Sequence, residues 1–327
     1  MTTVMLHIYK FLLKCLSAVG IVPRSKYVLL RGKLRARLAY QRLRPYLKPS
    51  PSGKVYLAVV ACMKNEAPYI REWVEYHLLQ GVERFYLFDN ESEDNTKDIL
   101  APYVAEGVVV LNDTPGRGIQ KPCYNAALIA YGNFARWLAF IDCDEFLVPM
   151  RGGNTGEHCG ERVSDILKDF EAYPAVAVNW RIFDSNGHIE KPQGLVIESY
   201  TRCAADTAWE PNLYVKCVID PTRTIECGIH SHLYVNGASA VDENFSPIFR
   251  GTSEHTENRL RINHYFSKSR AEYLAKIARR TADNTPQREF FEYYLEHPNP
   301  TEDTVILRSL PALRAALERR ERNDRIP

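Results

Sequence analysis

Two aspartates separated by one residue, Asp142 and Asp144, directly follow an apolar segment at residues 137–141. The segment has the length and composition of a buried β-strand, so both carboxylates are expected at its carboxyl end. Carboxylate oxygens are hard ligands that suit Mg²⁺ or Mn²⁺. A divalent ion held there would stabilise the charge that builds up on a departing nucleoside diphosphate. The pair therefore indicates metal-assisted transfer of a group from a nucleotide.

Polar residues also follow two other apolar segments of strand length. Residues 55–62 are followed by Lys64, Asn65 and Glu66, and residues 84–88 are followed by Asp89 and Asn90. In open parallel sheets, ligands bind beyond the carboxyl ends of the strands. The clustering of polar groups at three strand ends therefore predicts a ligand site along one edge of a sheet.

The elements that must position these residues alternate regularly. Strands are predicted at residues 55–62, 84–88, 108–111 and 137–141, with a helix between each pair. This alternation predicts a parallel sheet with right-handed crossovers. Further strands are predicted at residues 175–183, 213–219 and 231–235, and a helical pattern from residue 269 onward. We therefore expect a basic N-terminal segment and linker at 1–50, an α/β catalytic domain at 51–268 and a helical region at 269–327.

Several motifs in this order resemble those of a known group of enzymes. Residues 59–66, 88–95 and 140–147 are similar to successive motifs of family-2-like and family-92-like glycosyltransferases, and Gln120, Tyr124 and Asn125 bring the chain closer to family 92. Further similarity lies at 180–183 with Gly187, at 263–266 and at Glu302 and Asp303. The resemblance implies a GT-A fold, which is a Rossmann-like α/β fold with a mostly parallel sheet flanked by helices. It also implies a UDP- or GDP-linked sugar donor and inversion at the anomeric carbon.

The resemblance also assigns roles to individual residues. The residues implied in donor binding are Asn65, Glu66, Asp89, Gln120, Asn125 and Asp142. Those implied in holding Mn²⁺ or Mg²⁺ are Asp142, Asp144 and His264. Glu66 and Asp89 could instead cap a helix or a turn, and His264 could be a structural histidine.

A carboxylate base should deprotonate the acceptor hydroxyl in such a transfer, and three residues after the metal motif are candidates. Asp206 and Glu210 flank Trp209, and an aromatic ring beside a carboxylate suits a sugar acceptor. Asp184 stands where the family pattern has a glycine. The acceptor is expected to be a glycan or a lipid-linked precursor, and the sequence leaves its identity open.

Other interpretations of the same residues remain. Cys227, His230 and His232 could bind zinc with a fourth ligand such as Cys217, although no standard zinc spacing is met and ordinary strand residues are the simpler interpretation. Asp142 could be the nucleophile of a phosphohydrolase, but Glu145 and Phe146 stand where such sites place a small hydroxyl residue. A nucleotide-sugar-binding scaffold without turnover is the third alternative.

The charge of the chain is unevenly distributed. Thirteen of the 42 lysines and arginines precede Glu66, which is the first of the 40 acidic residues. Residues 4–22 are too short and too interrupted to span a bilayer, but they are suited to an amphipathic helix in a membrane interface. The segment thus predicts peripheral contact with an anionic membrane, or else a helix packed on the protein's own body. Nucleic-acid binding is not expected, because few stacking aromatics accompany the basic residues.

The eight cysteines include no Cys-x-x-Cys motif. Cys62 and Cys143 lie in apolar runs, where a thiol behaves as a small hydrophobic group. The expected location is therefore a reducing cytoplasm, with peripheral attachment at the inner face of the cell membrane.

Overall fold

The computed structural model describes residues 14, 15, 17, 23–150, 160–278 and 291–324. Most of the predicted amphipathic helix at 4–22, and the polar loop at 151–159, lie outside the described residues. The described helices are α1 (Arg24–Leu43), α2 (Ile70–Leu79), α3 (Thr96–Ala105), α4 (Gln120–Tyr131), α5 (Val163–Ile166), α6 (Val196–Ser199), α7 (Arg270–Ala278) and α8 (Leu310–Asp324). Short 3-10 turns lie at Arg44–Tyr46, Gly132–Phe134, Leu167–Phe170, Glu210–Leu213, Pro221–Arg223, Val235–Gly237, Glu292–Tyr294 and Val305–Ser309.

The strands include all those predicted from the sequence, with ends shifted by a few residues. The first eight are β1 (Val55–Met63), β2 (Arg84–Asp89), β3 (Val109–Asp113), β4 (Ala135–Phe140), β5 (Glu145–Pro149), β6 (Ala175–Ile182), β7 (Arg202–Ala204) and β8 (Val215–Ile219). The others are β9 (Thr224–Cys227), β10 (His232–Tyr234), β11 (Ala240–Val241), β12 (Pro247–Ile248), β13 (Leu260–His264) and β14 (Pro300–Glu302).

One half of the main sheet is parallel. Strands β3, β2, β1 and β4 lie side by side in that order, and α2, α3 and α4 connect them. Their central residues are apolar and buried on both faces of the sheet, as helix-covered parallel strands require. The predicted α/β fold with a mostly parallel sheet flanked by helices is therefore confirmed.

The other half of the sheet is mixed and brings distant residues to the same edge. Strand β8 is antiparallel to both β4 and β6, while β13 runs parallel to β6 and antiparallel to β5. Strands β5 and β13 were not predicted from the sequence. Their register pairs His264 with Glu145, the residue directly after Asp144. This pairing, which joins residues far apart in sequence, places His264 beside the metal motif.

Helix α1 lies on the body of the protein and is not a separate basic segment. It packs on α4 and β9 through a side that includes the buried residues Gly32, Ala36 and Leu43. A β-carbon at Gly32 would lie 2.6 Å from Leu233 Cδ2, so a larger residue there would require the end of that leucine side chain to shift. Arg35 pairs with buried Glu226 at 2.5 Å. Among the described helices, none is both long and apolar enough to cross a membrane.

The C-terminal region also departs from the prediction of helix alone. Strand β14 pairs antiparallel with β7, and α8 follows it and packs against α2. Residues 300–302 therefore belong to a two-stranded sheet.

Candidate functional site

A cavity of about 630 Å³ opens at the carboxyl edge of the parallel strands. Its charged wall residues are the bases Lys64, Arg117, Lys268 and Lys276 and the acids Glu66, Glu91, Asp144 and Glu272. The four bases are balanced by four acids, so the wall offers cationic contacts to an anionic ligand and carboxylate contacts to a cation bound with it. Asp144, the second aspartate of the metal motif, is part of this wall, so the cavity adjoins the motif.

Asp142 is held from two sides. Its Oδ1 accepts hydrogen bonds from Gln120 Nε2 at 2.8 Å and Tyr124 Oη at 3.2 Å, and Lys216 Nζ donates to its Oδ2 at 2.7 Å. Burial alone would raise the pKa of Asp142, but the Lys216 ammonium holds it below its usual value. The carboxylate is therefore ionised and fixed in one orientation.

Asp144 has a different cationic partner. Lys276 Nζ lies 2.5 Å from Asp144 Oδ2 and also donates to the Phe266 carbonyl at 2.8 Å. Burial would raise the pKa of Asp144, but Lys276 and His264 together hold it well below its usual value. A lysine from α7 thus neutralises the carboxylate that faces the cavity.

His264 lies between the metal motif and a buried glutamate. Its Nε2 is 3.5 Å from Asp144 Oδ1, and its Nδ1 is 4.0 Å from Glu145 Oε1. Both Nδ1 and Oε1 are buried and have no hydrogen-bond partner among the described residues. Burial lowers the pKa of His264, although Asp144 opposes the shift. A neutral imidazole is the form that ligates metals.

These residues fit a divalent ion in part. Asp144 and His264 present an oxygen and a nitrogen toward each other, and Glu145 stands on the far side of the imidazole, where metal-binding histidines commonly have a carboxylate. Within the described part of the chain, no three or more His, Cys, Asp or Glu residues are grouped closely enough to hold a metal. Mg²⁺ and Mn²⁺ are commonly bound by one or two protein ligands together with substrate phosphates. The arrangement therefore fits an ion that arrives with a diphosphate.

Three of the predicted donor-binding residues lie at the cavity or next to Asp142. Asn65 and Glu66 line the cavity, and Gln120 bonds to Asp142. Asn65 has a φ of 58°, and its side-chain oxygen accepts the Glu93 amide at 2.8 Å, which orders the loop after β1.

Asp89 is almost fully buried at the end of β2. Its Oδ2 accepts the Ser92 amide at 3.1 Å and lies 3.4 Å from Lys97. Its Oδ1 is buried without a partner in the described chain. A buried carboxylate oxygen in that state is suited to accept a hydrogen bond from a ligand N–H group.

Asn125 is placed away from the cavity. Its amide donates to the Cys227 carbonyl and accepts from the Cys227 amide, at 2.8 and 2.9 Å, so it links α4 to β9. The structure thus gives Asn125 a structural contact in place of the donor contact predicted for it.

The three predicted base candidates differ in accessibility. Asp184 is fully buried, is paired with Arg202 at 3.2 Å and accepts the Asn186 amide, so the structure does not present it to a ligand. Asp206 and Glu210 are exposed, and Asp206 caps the turn at Ala208. None of the three lines the cavity.

The zinc alternative is not supported by the described residues. His232 pairs with Cys227 in the β9–β10 ladder, while the Nδ1 of His230 contacts the Val215 carbonyl at 3.0 Å. Burial, reinforced by Lys216, lowers the pKa of His230 to about 4 and that of His232 to about 3. Both imidazoles are therefore neutral at pH 7, a form that could bind zinc, but within the described residues no three His, Cys, Asp or Glu side chains are grouped closely enough to hold a metal.

Sequence reasoning missed the contacts of Lys216 with Asp142, of Lys276 with Asp144 and of Glu145 with His264. Lys216 lies in the predicted strand 213–219, and its side chain is 1% exposed. Lysine is rarely buried without a partner, so a single lysine in an otherwise apolar strand could have indicated a buried ion pair. Lys276 is on an amphipathic helix, where lysine is ordinary, so no local signal marked it.

Comparison with known proteins agrees with this geometry. The model of glycosyltransferase family 92 matches residues 58–290. A family 92 protein of Ricinus communis is 26% identical over 160 residues, which are 48% of this chain and 28% of the relative. The β-1,4-galactosyltransferase galt-1 of Caenorhabditis elegans is 25% identical over 230 residues, 66% of this chain and 48% of the relative. The matches thus span less than half of the length of these relatives.

Solved structures resemble the chain only in part. Staphylococcus aureus TarS 1-349 in complex with UDP-GlcNAc has a TM-score of 0.31 and 18% identity, covering 51% of this chain and 46% of that one. Glucosyl-3-phosphoglycerate synthase of Mycobacterium tuberculosis, in complex with Mn²⁺, UDP and its product, has a TM-score of 0.26 and 21% identity, covering 39% and 44%. The family match extends over most of the α/β domain and includes every strand that carries a site residue. The chain therefore belongs to glycosyltransferase family 92.

Proposed function

We propose that this glycosyltransferase moves a sugar from a UDP- or GDP-linked donor to a hydroxyl of a glycan or of a lipid-linked acceptor, with inversion. The observation that carries the proposal is the position of Asp144, which faces a cavity with four cationic side chains at the carboxyl edge of the sheet. That arrangement suits a nucleoside diphosphate better than a neutral ligand. It also gives the two aspartates different tasks, since Asp142 is held by Lys216 while Asp144 faces the cavity.

In the proposed transfer, the acceptor oxygen bonds to the anomeric carbon while the bond from that carbon to the diphosphate oxygen breaks. The electron pair leaves with the diphosphate, and the hydroxyl proton passes to a base. Lys276, Lys268 and Lys64 would stabilise the diphosphate charge as it grows. Glu210 remains our candidate for the base, because it is exposed and adjoins Trp209, whose ring contacts Tyr294 and through it Phe266 in the cavity wall.

The residues present also support metal assistance. Asp144 and His264 would hold Mn²⁺ or Mg²⁺ together with the diphosphate, and Glu145 would orient the imidazole. When bound, the ion would supply Lewis-acid stabilisation of the leaving group. The name of the C. elegans relative makes UDP-galactose the first donor to test.

Release of UDP or GDP tests the proposal directly. The full chain would be incubated with UDP-galactose, UDP-N-acetylglucosamine, UDP-glucose and GDP-mannose, with Mn²⁺ or with EDTA, and nucleotide release measured. We expect release from one donor, suppressed by EDTA and reduced at least a hundredfold in Asp144→Asn. A folded protein that releases nucleotide from none of them, with or without added glycans, would contradict the proposal.

We also propose that α1 holds the enzyme against an anionic membrane surface on the cytoplasmic side. Supporting this, α1 contains no acidic residue, and the bases Arg24, Lys26, Arg31, Lys33, Arg37 and Arg42 are exposed along it. Juxtamembrane basic clusters of this size bind anionic lipid headgroups. The apolar residues that precede α1 in the sequence favour a lipid surface over a nucleic acid.

A further inference from the structure

A cluster of three partly exposed rings lies beside the metal motif, on the side away from the cavity. Trp180, near the end of β6, is 5.5 Å from Tyr214 and 5.1 Å from His230, measured between ring centres. Tyr214 and His230 are 5.2 Å apart, which closes the triangle. The donor site described above uses none of these rings. We call Trp180, Tyr214 and His230 the aromatic cluster.

The cluster is connected to the site through His264 and Lys216. The ring of Trp180 is 4.4 Å from that of His264, whose opposite edge faces Asp144. Lys216, which holds Asp142, lies 5.8 Å from the centre of the Trp180 ring. A ligand on the aromatic cluster would therefore be separated from Asp144 by the side chain of His264. An acceptor has to lie beyond the donor sugar from the diphosphate, and a position next to the metal motif but outside the cavity lining is compatible with that.

The polar atoms of the cluster are suited to hydroxyl groups. Trp180 Nε1 is buried and has no acceptor within the described chain. His230 is neutral, and because its Nδ1–H donates to the Val215 carbonyl, its Nε2 remains a hydrogen-bond acceptor. Flat ring faces that combine an N–H donor with a nitrogen acceptor match a pyranose, which has an apolar C–H face and a rim of hydroxyls.

An exposed ring lies on the loop that contacts His230 of the aromatic cluster. Phe249 is 77% exposed, the most of any large apolar residue in the described chain. It lies two residues before Gly251, where a β-carbon would be 2.7 Å from the β-carbon of His230. The loop that carries Phe249 thus runs directly against the aromatic cluster. An aromatic side chain left in solvent at the edge of a site is suited to a further sugar unit.

We propose that the aromatic cluster is the acceptor subsite and that it binds a pyranose ring of a saccharide acceptor. This inference rests on the proposed transferase function, since it names the substrate class on the acceptor side. An acceptor that begins with a phosphate fits less well, because Lys216, the cation that contacts the Trp180 ring, is buried and already paired with Asp142.

Saturation-transfer NMR tests the subsite separately from catalysis. The full chain with UDP and Mn²⁺ would be mixed with methyl β-galactoside, methyl β-glucoside, methyl β-N-acetylglucosaminide and methyl α-fucoside. We expect signal transfer to the ring protons of at least one glycoside. The signal should be lost in Trp180→Ala, retained in Trp180→Phe and weakened several-fold in Phe249→Ala, whose exposed position makes misfolding unimportant. Tyr46→Ala, an exposed ring far from the site in sequence, is the matched control and should change nothing.

The UDP affinity of each variant separates the two hypotheses. Glycoside binding that depends on Trp180, with UDP affinity unchanged, supports the subsite. Glycoside binding in a protein that binds neither UDP nor GDP would refute the proposed function and leave the saccharide subsite standing. UDP binding without signal transfer to any of the four glycosides, or transfer that neither Trp180→Ala nor Phe249→Ala reduces, would overturn the subsite.

Discussion

At the scale of single residues, the site is defined by two lysines that neutralise two aspartates. Lys216 comes from β8 and Lys276 from α7, 74 and 132 residues away from their partners. Their environments differ, because Lys216 is 1% exposed while Lys276 is 23% exposed and lines the cavity. Lys216 is thus a structural counter-charge for Asp142, whereas Lys276 is positioned to contact a ligand.

Replacement of Lys276 should weaken nucleotide binding. We expect Lys276→Gln to raise the UDP dissociation constant about tenfold, because one charge-assisted contact to the diphosphate is lost. Isothermal titration with UDP would measure it, with exposed Lys54→Gln as the control. Equal affinities of the two variants would show that Lys276 serves Asp144 alone.

The sequence identified the aspartates of this site but not their partners. Asp142 and Asp144 were predictable because a strand-length apolar run ends just before them. Nothing local to Lys276 indicates a contact with a residue 132 positions away. Asn125 is a residue for which the family resemblance predicted too much. The resemblance implied a contact with the donor, whereas the structure shows a hydrogen bond to Cys227.

At the scale of elements, the pairing of β5 with β13 explains why His264 reaches the site. The parallel strands were predictable from their apolar runs, whereas β13 has the sequence Leu-Arg-Ile-Asn-His, whose polar residues hid a buried strand. Arg261 and Asn263 are tolerated there because each bonds to other side chains, Arg261 to Asp303 and Asn263 to Tyr265. A contact such as that between Arg261 and Asp303 cannot be predicted from a local sequence pattern.

Helix α1 gives a prediction about membrane contact. We expect the double variant Arg31→Glu, Arg42→Glu to reduce binding to phosphatidylserine-containing vesicles at least tenfold, because each basic residue contributes about 1 kcal/mol near an anionic surface. Vesicle co-sedimentation at low and high salt would measure this. The control is Arg319→Glu, Arg322→Glu on α8, which changes the same number of exposed charges. Binding that is equal in both variants, or equal on neutral phosphatidylcholine vesicles, would argue against the membrane role.

At the scale of the whole molecule, a buried ion pair is one of several contacts that join the C-terminal region to the α/β domain. Both guanidinium nitrogens of Arg261 on β13 contact Asp303, at 2.6 and 2.7 Å, directly after β14. The side chain of Arg261 is 1% exposed, so its charge depends on Asp303 and on Glu257, which lies 3.3 Å from the same guanidinium. The sequence analysis associated Asp303 with the family pattern, and the structure gives that aspartate an architectural contact.

Removal of this pair should destabilise the protein. We expect Asp303→Ala to lower the free energy of unfolding by about 3 kcal/mol, because the buried guanidinium loses its two short hydrogen bonds and keeps only the longer contact with Glu257. Urea denaturation followed by circular dichroism would measure the change. Glu318→Ala removes an exposed pair with Arg322 and should cost less than about 1 kcal/mol. Similar losses in the two variants would refute this account of the C-terminal region.

The central claim is that Asp144 and the basic side chains of the cavity form the nucleotide-donor site. The most direct test is isothermal titration of the full chain with UDP and with GDP, with and without Mn²⁺, in wild type, Asp144→Asn and Asp98→Asn, the last being an exposed control. The account predicts that one nucleotide binds wild type and Asp98→Asn at least tenfold more tightly with Mn²⁺, and that Asp144→Asn loses this metal dependence. Folded wild-type protein that binds neither nucleotide, or an Asp144→Asn variant that binds as wild type does, would contradict it.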